Sequence, residues 1–211
     1  MPEKIIFATG NKGKLREAAE ILGPDYCLAT PADNGLTEEI PETGATIMDN
    51  SRQKAEYIWN RLEVNCFADD TGLEVDYLGG APGVHSARYA GGAGHDSAAN
   101  TAKLLREMAP AVRPEDRKAR FRTIVTLILG GKEHCFEGKV EGRIATSPSG
   151  AGGFGYDPVF IPDTIPSDGG LVPNVKGLTF AEISEEAKNA ISHRGRALRA
   201  MASWLKDSGA K

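Results

Sequence analysis

The sequence predicts a mixed α/β fold. Near the N-terminus a compact apolar run, Lys4–Thr9, passes through a Gly-marked turn into a helical repeat; later two long strand-like runs, residues 119–129 and 133–146, meet at Gly130-Gly131. The first pattern is strand, turn and helix, as in sheets with parallel pairs; the second is a hairpin, so the sheet is mixed rather than all-parallel. Size is the third observation: 211 residues with 40% hydrophobic content suffice to bury a core, as one domain or two closely packed lobes, and no stretch reads as a long linker.

Composition bounds the function. The longest apolar stretch, Ile124–Leu129, is far shorter than a membrane-spanning helix, and the N-terminus lacks the long apolar run of a secretory signal, so no membrane association and a cytoplasmic location are expected. Cys27, Cys66 and Cys135 lie in apolar runs without C-x-x-C spacing, which predicts buried reduced thiols rather than a zinc site or disulfides. A net charge of -4 disfavours nucleic acid but is compatible with a local basic pocket for a small anion.

Taken in order, the first strand leads into Gly10-Asn11-Lys12-Gly13-Lys14 and a helix whose stripe is Leu15, Ala18, Ala19 and Leu22, ended by Gly23-Pro24. Free backbone N–H groups and the helix dipole at such a turn favour phosphate, with Lys12 and Lys14 adding charge; an ordinary Asn-capped helix is the other reading. The spacing is not that of a Walker A loop. Residues 31–44 form a loop carrying Glu38, Glu39 and Glu42, solvated charge on the usual reading. A helix spans about 46–62 with Ala55, Ile58, Trp59 and Leu62 as its core stripe, and Lys54 sits near that buried face, either reaching a cleft or snorkelling past the core edge.

The centre of the chain is Phe67-Ala68-Asp69-Asp70-Thr71-Gly72-Leu73-Glu74-Val75. Adjacent carboxylates can hold a divalent cation through hard oxygens, and one can take a proton from water. On a strand they point to opposite faces, so at most one of Asp69 and Asp70 faces a site while the other caps the turn or bonds backbone. An Asx-rich turn at Thr71-Gly72 is the competing reading.

Two Gly-rich loops follow, Leu78–Gly83 and Ser86–Gly94, then a helix over about 96–109 and the hairpin. Ser149–Pro158 joins flexible glycines to Phe154, Tyr156 and Asp157, a combination that can stack a planar base and accept hydrogen bonds from its edge. Ser184 starts a helix that carries Lys188, and His193-Arg194 break the pattern at a junction marked by Gly195 before a last helix with Leu198, Met201 and Leu205 on one face.

In order along nearly the whole chain, Thr9–Lys14, Phe67–Val75, Gly79–Gly83, Ser86–Tyr89, Gly153–Pro158 and Ser192–Gly195 resemble the inosine triphosphate pyrophosphatase family. The resemblance implies a single domain over residues 1–211 in two lobes, a long mixed sheet with flanking helices and an active site in the cleft between lobes, a homodimer and a Mg²⁺ requirement. The implied reaction is hydrolysis of ITP, dITP and XTP to the monophosphate and pyrophosphate. By the same resemblance Thr9, Gly10, Asn11, Lys12, Gly13 and Lys14 bind the triphosphate, and Lys54 is a site lysine. Asp70 is general base and metal ligand, and Thr71 lines the site. Phe154, Gly155, Tyr156 and Asp157 hold the base, while Lys188, His193 and Arg194 contact phosphate or base. Where the family has paired glutamates this chain has Pro41-Glu42-Thr43-Gly44, leaving the second metal ligand open between Glu42 and Glu39. Residues 162–177 are longer and richer in Pro and Gly than the usual connection. A non-catalytic nucleotide-binding module and a pyrophosphatase for modified pyrimidine nucleotides are the alternatives.

Overall fold

A computed structural model describes residues 2–91 and 96–209. Its principal sheet has seven strands in the order β2 (Tyr26–Ala29), β1 (Glu3–Phe7), β3 (Cys66–Val75), β5 (Lys118–Leu129), β6 (Lys132–Ile144) and β7 (Phe160–Pro162), with β4 (Pro82–Gly83) paired to β3. The chain divides into two compact units, the first comprising Met1–Asp70, Thr123–Gly138 and Arg194–Lys211, the second Thr71–Arg122 and Lys139–His193.

In the first unit β1 (Glu3–Phe7) runs parallel both to β2 (Tyr26–Ala29) and to the start of β3 (Cys66–Val75). The register places Phe7 beside Phe67, and their rings stack at 4.3 Å. Helix α1 (Lys12–Leu22) starts where Asn11 Oδ1 accepts the N–H groups of Gly13 and Lys14, and ends at Gly23, whose φ of 77° few side chains tolerate. Its buried stripe is narrower than predicted: Ala18 and Leu22 are covered, whereas Ala19 faces solvent. Helix α2 (Ile47–Leu62) opens on a reciprocal Thr46–Asp49 capping box, which satisfies two otherwise orphaned donors.

Strands β5 (Lys118–Leu129) and β6 (Lys132–Ile144) are joined through Gly130-Gly131, both at positive φ as a two-residue hairpin turn requires. The last helix, α5 (His193–Asp207), buries its Leu198, Met201 and Leu205 against Phe7, Phe67, Val125 and Leu127. Each such side chain contributes about 1.5–3 kcal/mol relative to exposure. Gly195 does not mark a junction: it lies inside α5 and is buried, with the break three residues earlier at Ser192.

In the second unit α3 (Ser97–Glu107) is capped by Asp96, and α4 (Glu185–Ile191) by Ser184. Strand β4 (Pro82–Gly83) pairs antiparallel with the end of β3, and β7 (Phe160–Pro162) antiparallel with the end of β6. The core gathers Leu73, Val75, Leu104, Val140, Phe160 and Phe180. Residues 162–177 are not an open loop, since β8 (Thr164–Ser167) and β9 (Gly170–Pro173) form a separate two-stranded hairpin within them.

Two further expectations are corrected. Thr71-Gly72 is no turn: β3 continues unbroken from Cys66 to Val75, because pairing along its length outweighs the local Asp-Thr-Gly turn propensity. Of the cysteines only Cys66 is buried, its thiol pushed up to about 12 by burial, whereas Cys27 and Cys135 are exposed; all three are free. Gly92, Ala93 and Gly94 of the second Gly-rich loop lie outside the described residues.

Candidate functional site

The two central carboxylates part company as strand alternation requires, and each takes a different set of partners. Asp69 is 1% exposed and receives Lys14 Nζ at 3.0 Å and Arg194 Nε at 2.9 Å. Burial alone would raise its pKa, but Lys14, Arg194 and Lys54 overcome that and hold the carboxyl well below the usual carboxylate range. It caps no turn: it is the anchor of two cations brought from 55 and 125 residues away. Arg194 also reaches Glu17 Oε2 at 3.4 Å.

Asp70 takes Lys54 Nζ at 3.1 Å, and the same ammonium donates to Glu42 Oε1 at 2.7 Å. Lys54 is therefore no snorkelling residue; 7% exposed, it bridges two carboxylates. Burial, reinforced by Glu42 and Asp69 and opposed by Lys54, raises the Asp70 pKa above its ordinary 3.8. Burial depresses the lysine, yet Asp70, Asp69 and Glu42 outweigh it and leave its pKa raised, so the proton of the pair rests on Lys54.

Glu42 is held there by its own loop. Thr43 N–H donates to Gln53 Oε1 at 2.9 Å and Gly44 N–H to Asn50 Oδ1 at 2.7 Å, so the loop docks on α2, the helix that carries Lys54. The approach is so close that a Cβ on Gly44 would meet Asp49 Cβ at 2.6 Å. Glu39, the other candidate, is exposed, and the structure brings Glu42 alone of the two to Lys54.

The cluster so built holds four carboxylates, Asp69, Asp70, Glu42 and Glu17, against three cations, Lys14, Lys54 and Arg194. One negative charge is left over beside hard oxygen donors, which suits a divalent cation of the Mg²⁺ type. No group of three or more His, Cys, Asp or Glu suited to a metal gathers among the described residues, so the protein would supply Asp70 and Glu42, and water or ligand oxygens the rest.

At the start of α1, Thr9 Oγ1 accepts the Asn11 N–H at 3.1 Å while Asn11 caps the helix; Gly10, Lys12 and Gly13 lie exposed on that turn. The Asn-capped reading of this helix start holds, with Asn11 Oδ1 taking the N–H groups of Gly13 and Lys14. Lys12 extends from the first helical position, whereas Lys14 is committed to Asp69.

In the second unit the aromatic loop divides its tasks unexpectedly. Phe154 is 78% exposed, a flat apolar face open to solvent. Asp157 is buried and accepts the Phe154 N–H at 2.5 Å and the ammonium of Lys188, so its carboxylate is spent on the loop rather than free for a base edge. A Cβ on Gly153, at φ 84°, would strike that carboxylate at 2.5 Å. Tyr156 is buried too, donating to the Ser86 carbonyl at 2.8 Å, and offers no stacking face. Gly155 accepts from the Thr101 hydroxyl at 3.3 Å. The His193 ring stacks on Phe121 at 5.0 Å, and Thr71 lies half-buried on β3 next to Asp70.

Comparison with known proteins bears on what this arrangement is. The family model described as the Ham1 family matches residues 5–204. The chain belongs to the Ham1 family. It is 47% identical over 203 residues to a dITP/XTP pyrophosphatase of Porphyromonas gingivalis, covering 96% of this chain and 97% of that one. A dITP/XTP pyrophosphatase of Bacillus subtilis is 43% identical over 205 residues, with 96% and 97% covered. Among solved structures the Staphylococcus aureus Ham1 protein superposes with a TM-score of 0.85 at 32% identity, covering 98% of this chain and all of that one. The sequence reading misses the roles of two residues of this cluster. It expects Asp69 to cap the turn or bond backbone, and nothing local reveals its distant cations; Glu17 follows Lys14 by three residues on α1, a spacing that puts both on one helix face and is available as a signal.

Proposed function

We propose that this chain hydrolyses non-standard purine nucleoside triphosphates of the dITP, ITP and XTP class to the monophosphate and pyrophosphate, with Mg²⁺. The names of its relatives support the reaction and substrate class. The observation that carries the mechanism is the unequal pair: Asp69 locked as an anion by two cations, Asp70 with a raised pKa beside Lys54 and Glu42.

A triphosphate brings about four negative charges, and Lys14, Lys54 and Arg194 are the groups that meet them. Asp69 keeps Lys14 and Arg194 in place, so their positioning is settled before substrate arrives. Asp70 orients a water and takes its proton, a task for which a pKa raised towards the working pH is an advantage. Bound Mg²⁺ would supply charge neutralisation and polarisation at phosphorus, and Asp70 and Glu42 are the residues to hold it. Phe154 offers the base a stacking surface, and Lys188, through Asp157, fixes the loop that presents it. The family resemblance further implies a homodimer, which light scattering of the purified chain reads.

Pyrophosphate release from a panel of ITP, XTP, GTP, ATP and modified pyrimidine triphosphates, with and without Mg²⁺, is the test. Metal-dependent release favouring ITP and XTP is expected. Tight binding without release would leave only a binding module, and a preference for pyrimidines would move the substrate class.

A further inference from the structure

In the second unit a cavity of about 380 Å³ is lined by Val112, Ile161 and Leu178 together with Arg117, Arg143 and Lys176. None of the residues assigned above to nucleotide or metal lines it. Its size is at the small end of ligand sites.

What singles it out is charge without counter-charge. Arg117 is 6% exposed and no carboxylate pairs with it among the described residues; its guanidinium is spent on the carbonyls of Ile144, Met108, Ala111 and Ala145 at 2.6–3.0 Å. Those four bonds use four of the five N–H groups that a guanidinium carries, which leaves one on Nη2. Buried cations are ordinarily paired, since an uncompensated one is costly. Arg143 is half-buried, and its guanidinium has no ion pair or hydrogen bond among the described residues; Nη2 lies where a Cβ on Gly177 would be 3.5 Å away. Lys176 is exposed at the rim. The one acid in the lining, Glu182, is occupied by the Ser149 hydroxyl at 2.6 Å and the Thr179 N–H at 2.8 Å. Three cations against one carboxylate make this wall positive in a chain whose net charge is -4.

An anion is the partner that such a wall lacks, and planar guanidinium groups match phosphate oxygens well. The apolar lining of Val112, Ile161 and Leu178 adds a requirement that a bare inorganic ion does not meet. We propose that this cavity is a second ligand site, separate from the triphosphate site, that binds a small phosphomonoester through Arg143 and Arg117 with the apolar body of the ligand on Val112, Ile161 and Leu178.

Calorimetric titration of the full chain with phenyl phosphate, and separately with inorganic phosphate, tests this. Phenyl phosphate is expected to bind at least tenfold more tightly than phosphate, and both to weaken as salt is raised. Arg143→Gln should weaken phenyl phosphate at least tenfold while leaving the melting temperature and ITP turnover unchanged; Lys14→Gln should leave phenyl phosphate affinity within twofold. The proposal is overturned by an absence of phenyl phosphate binding to the wild-type chain. It is equally overturned by loss of binding in the Lys14 variant with the Arg143 variant unaffected, which would place the anion at the triphosphate site. Equal affinity for the two probes would refute the role of the apolar wall.

Discussion

The charged cluster of the first unit and the aromatic loop of the second are prepared for a ligand in opposite ways. Lys14, Lys54 and Arg194 each have a carboxylate partner, whereas the loop leaves one of its two rings, Phe154, 78% exposed and keeps its carboxylate for itself. The difference follows from the cost of waiting. A buried ion without a partner costs several kcal/mol, so in this cluster acids hold the cations proposed to meet phosphate. A solitary exposed ring costs little, so a stacking surface can stand open.

The sharpest way to break this comparison is to remove the acid that holds two of the cations. Asp69→Asn leaves Lys14 and Arg194 without their shared partner and is expected to lower folding stability by about 3 kcal/mol, read as the midpoint of urea unfolding. Unchanged stability with a collapse of kcat larger than that of the Asp70 variant would exchange the two roles. Next in size, Asp70→Asn is expected to keep the fold and much of the nucleotide affinity while kcat for ITP falls on the order of a hundredfold or more. Turnover at the wild-type rate would move the reaction centre elsewhere. Phe154→Ala removes only an exposed face, so KM for ITP and XTP should rise by similar factors, corresponding to roughly 1–3 kcal/mol of stacking, with the unfolding midpoint unmoved. A change in the ITP-to-GTP ratio in that variant would make the ring an edge reader rather than a platform.

The smallest effect is one of pH, and it separates the two acids. As the proposed general base Asp70 must be a carboxylate, and its pKa is raised, so kcat/KM should fall as pH drops through a value above the ordinary 3.8. Asp69 has a depressed pKa, so its stabilisation is present above its unfolded value near 3.8 and is lost only as pH falls through its lower folded value. Activity should therefore vanish on acidification before the contribution of Asp69 to folding does. Coincident loss of kcat/KM and of near-ultraviolet circular dichroism would show that the two acids titrate as one.

What was legible in the sequence was what local chemistry decides. Asn11 and Ser184 cap helices where their side chains predict, and Gly130-Gly131 turns the hairpin. The alternation rule also separated Asp69 from Asp70. It could not say what Asp69 meets, because Lys14 and Arg194 are neighbours only in the folded chain. Thr71-Gly72 misled for a related reason: an Asp-Thr-Gly string prefers a turn, and only strand partners far along the chain make it a strand. At Phe154–Asp157 the sequence shows a ring and a carboxylate but not how the carboxylate is used, since nothing in the string tells that Lys188 and the Phe154 N–H claim it.

If Glu42 holds Mg²⁺ as proposed, Gly44 bears on the speed of metal capture. Because the loop before α2 is already fastened through Thr43 and Gly44, Glu42 has little orientational freedom left to lose when a cation arrives. Association should then be limited by shedding water from the ion rather than by searching of the chain. Any side chain at residue 44 would lift the loop from Asp49 and Asn50 and return that search to the reaction. The cost would fall on the rate of Mg²⁺ uptake, although residue 44 has no side-chain oxygen to offer the ion.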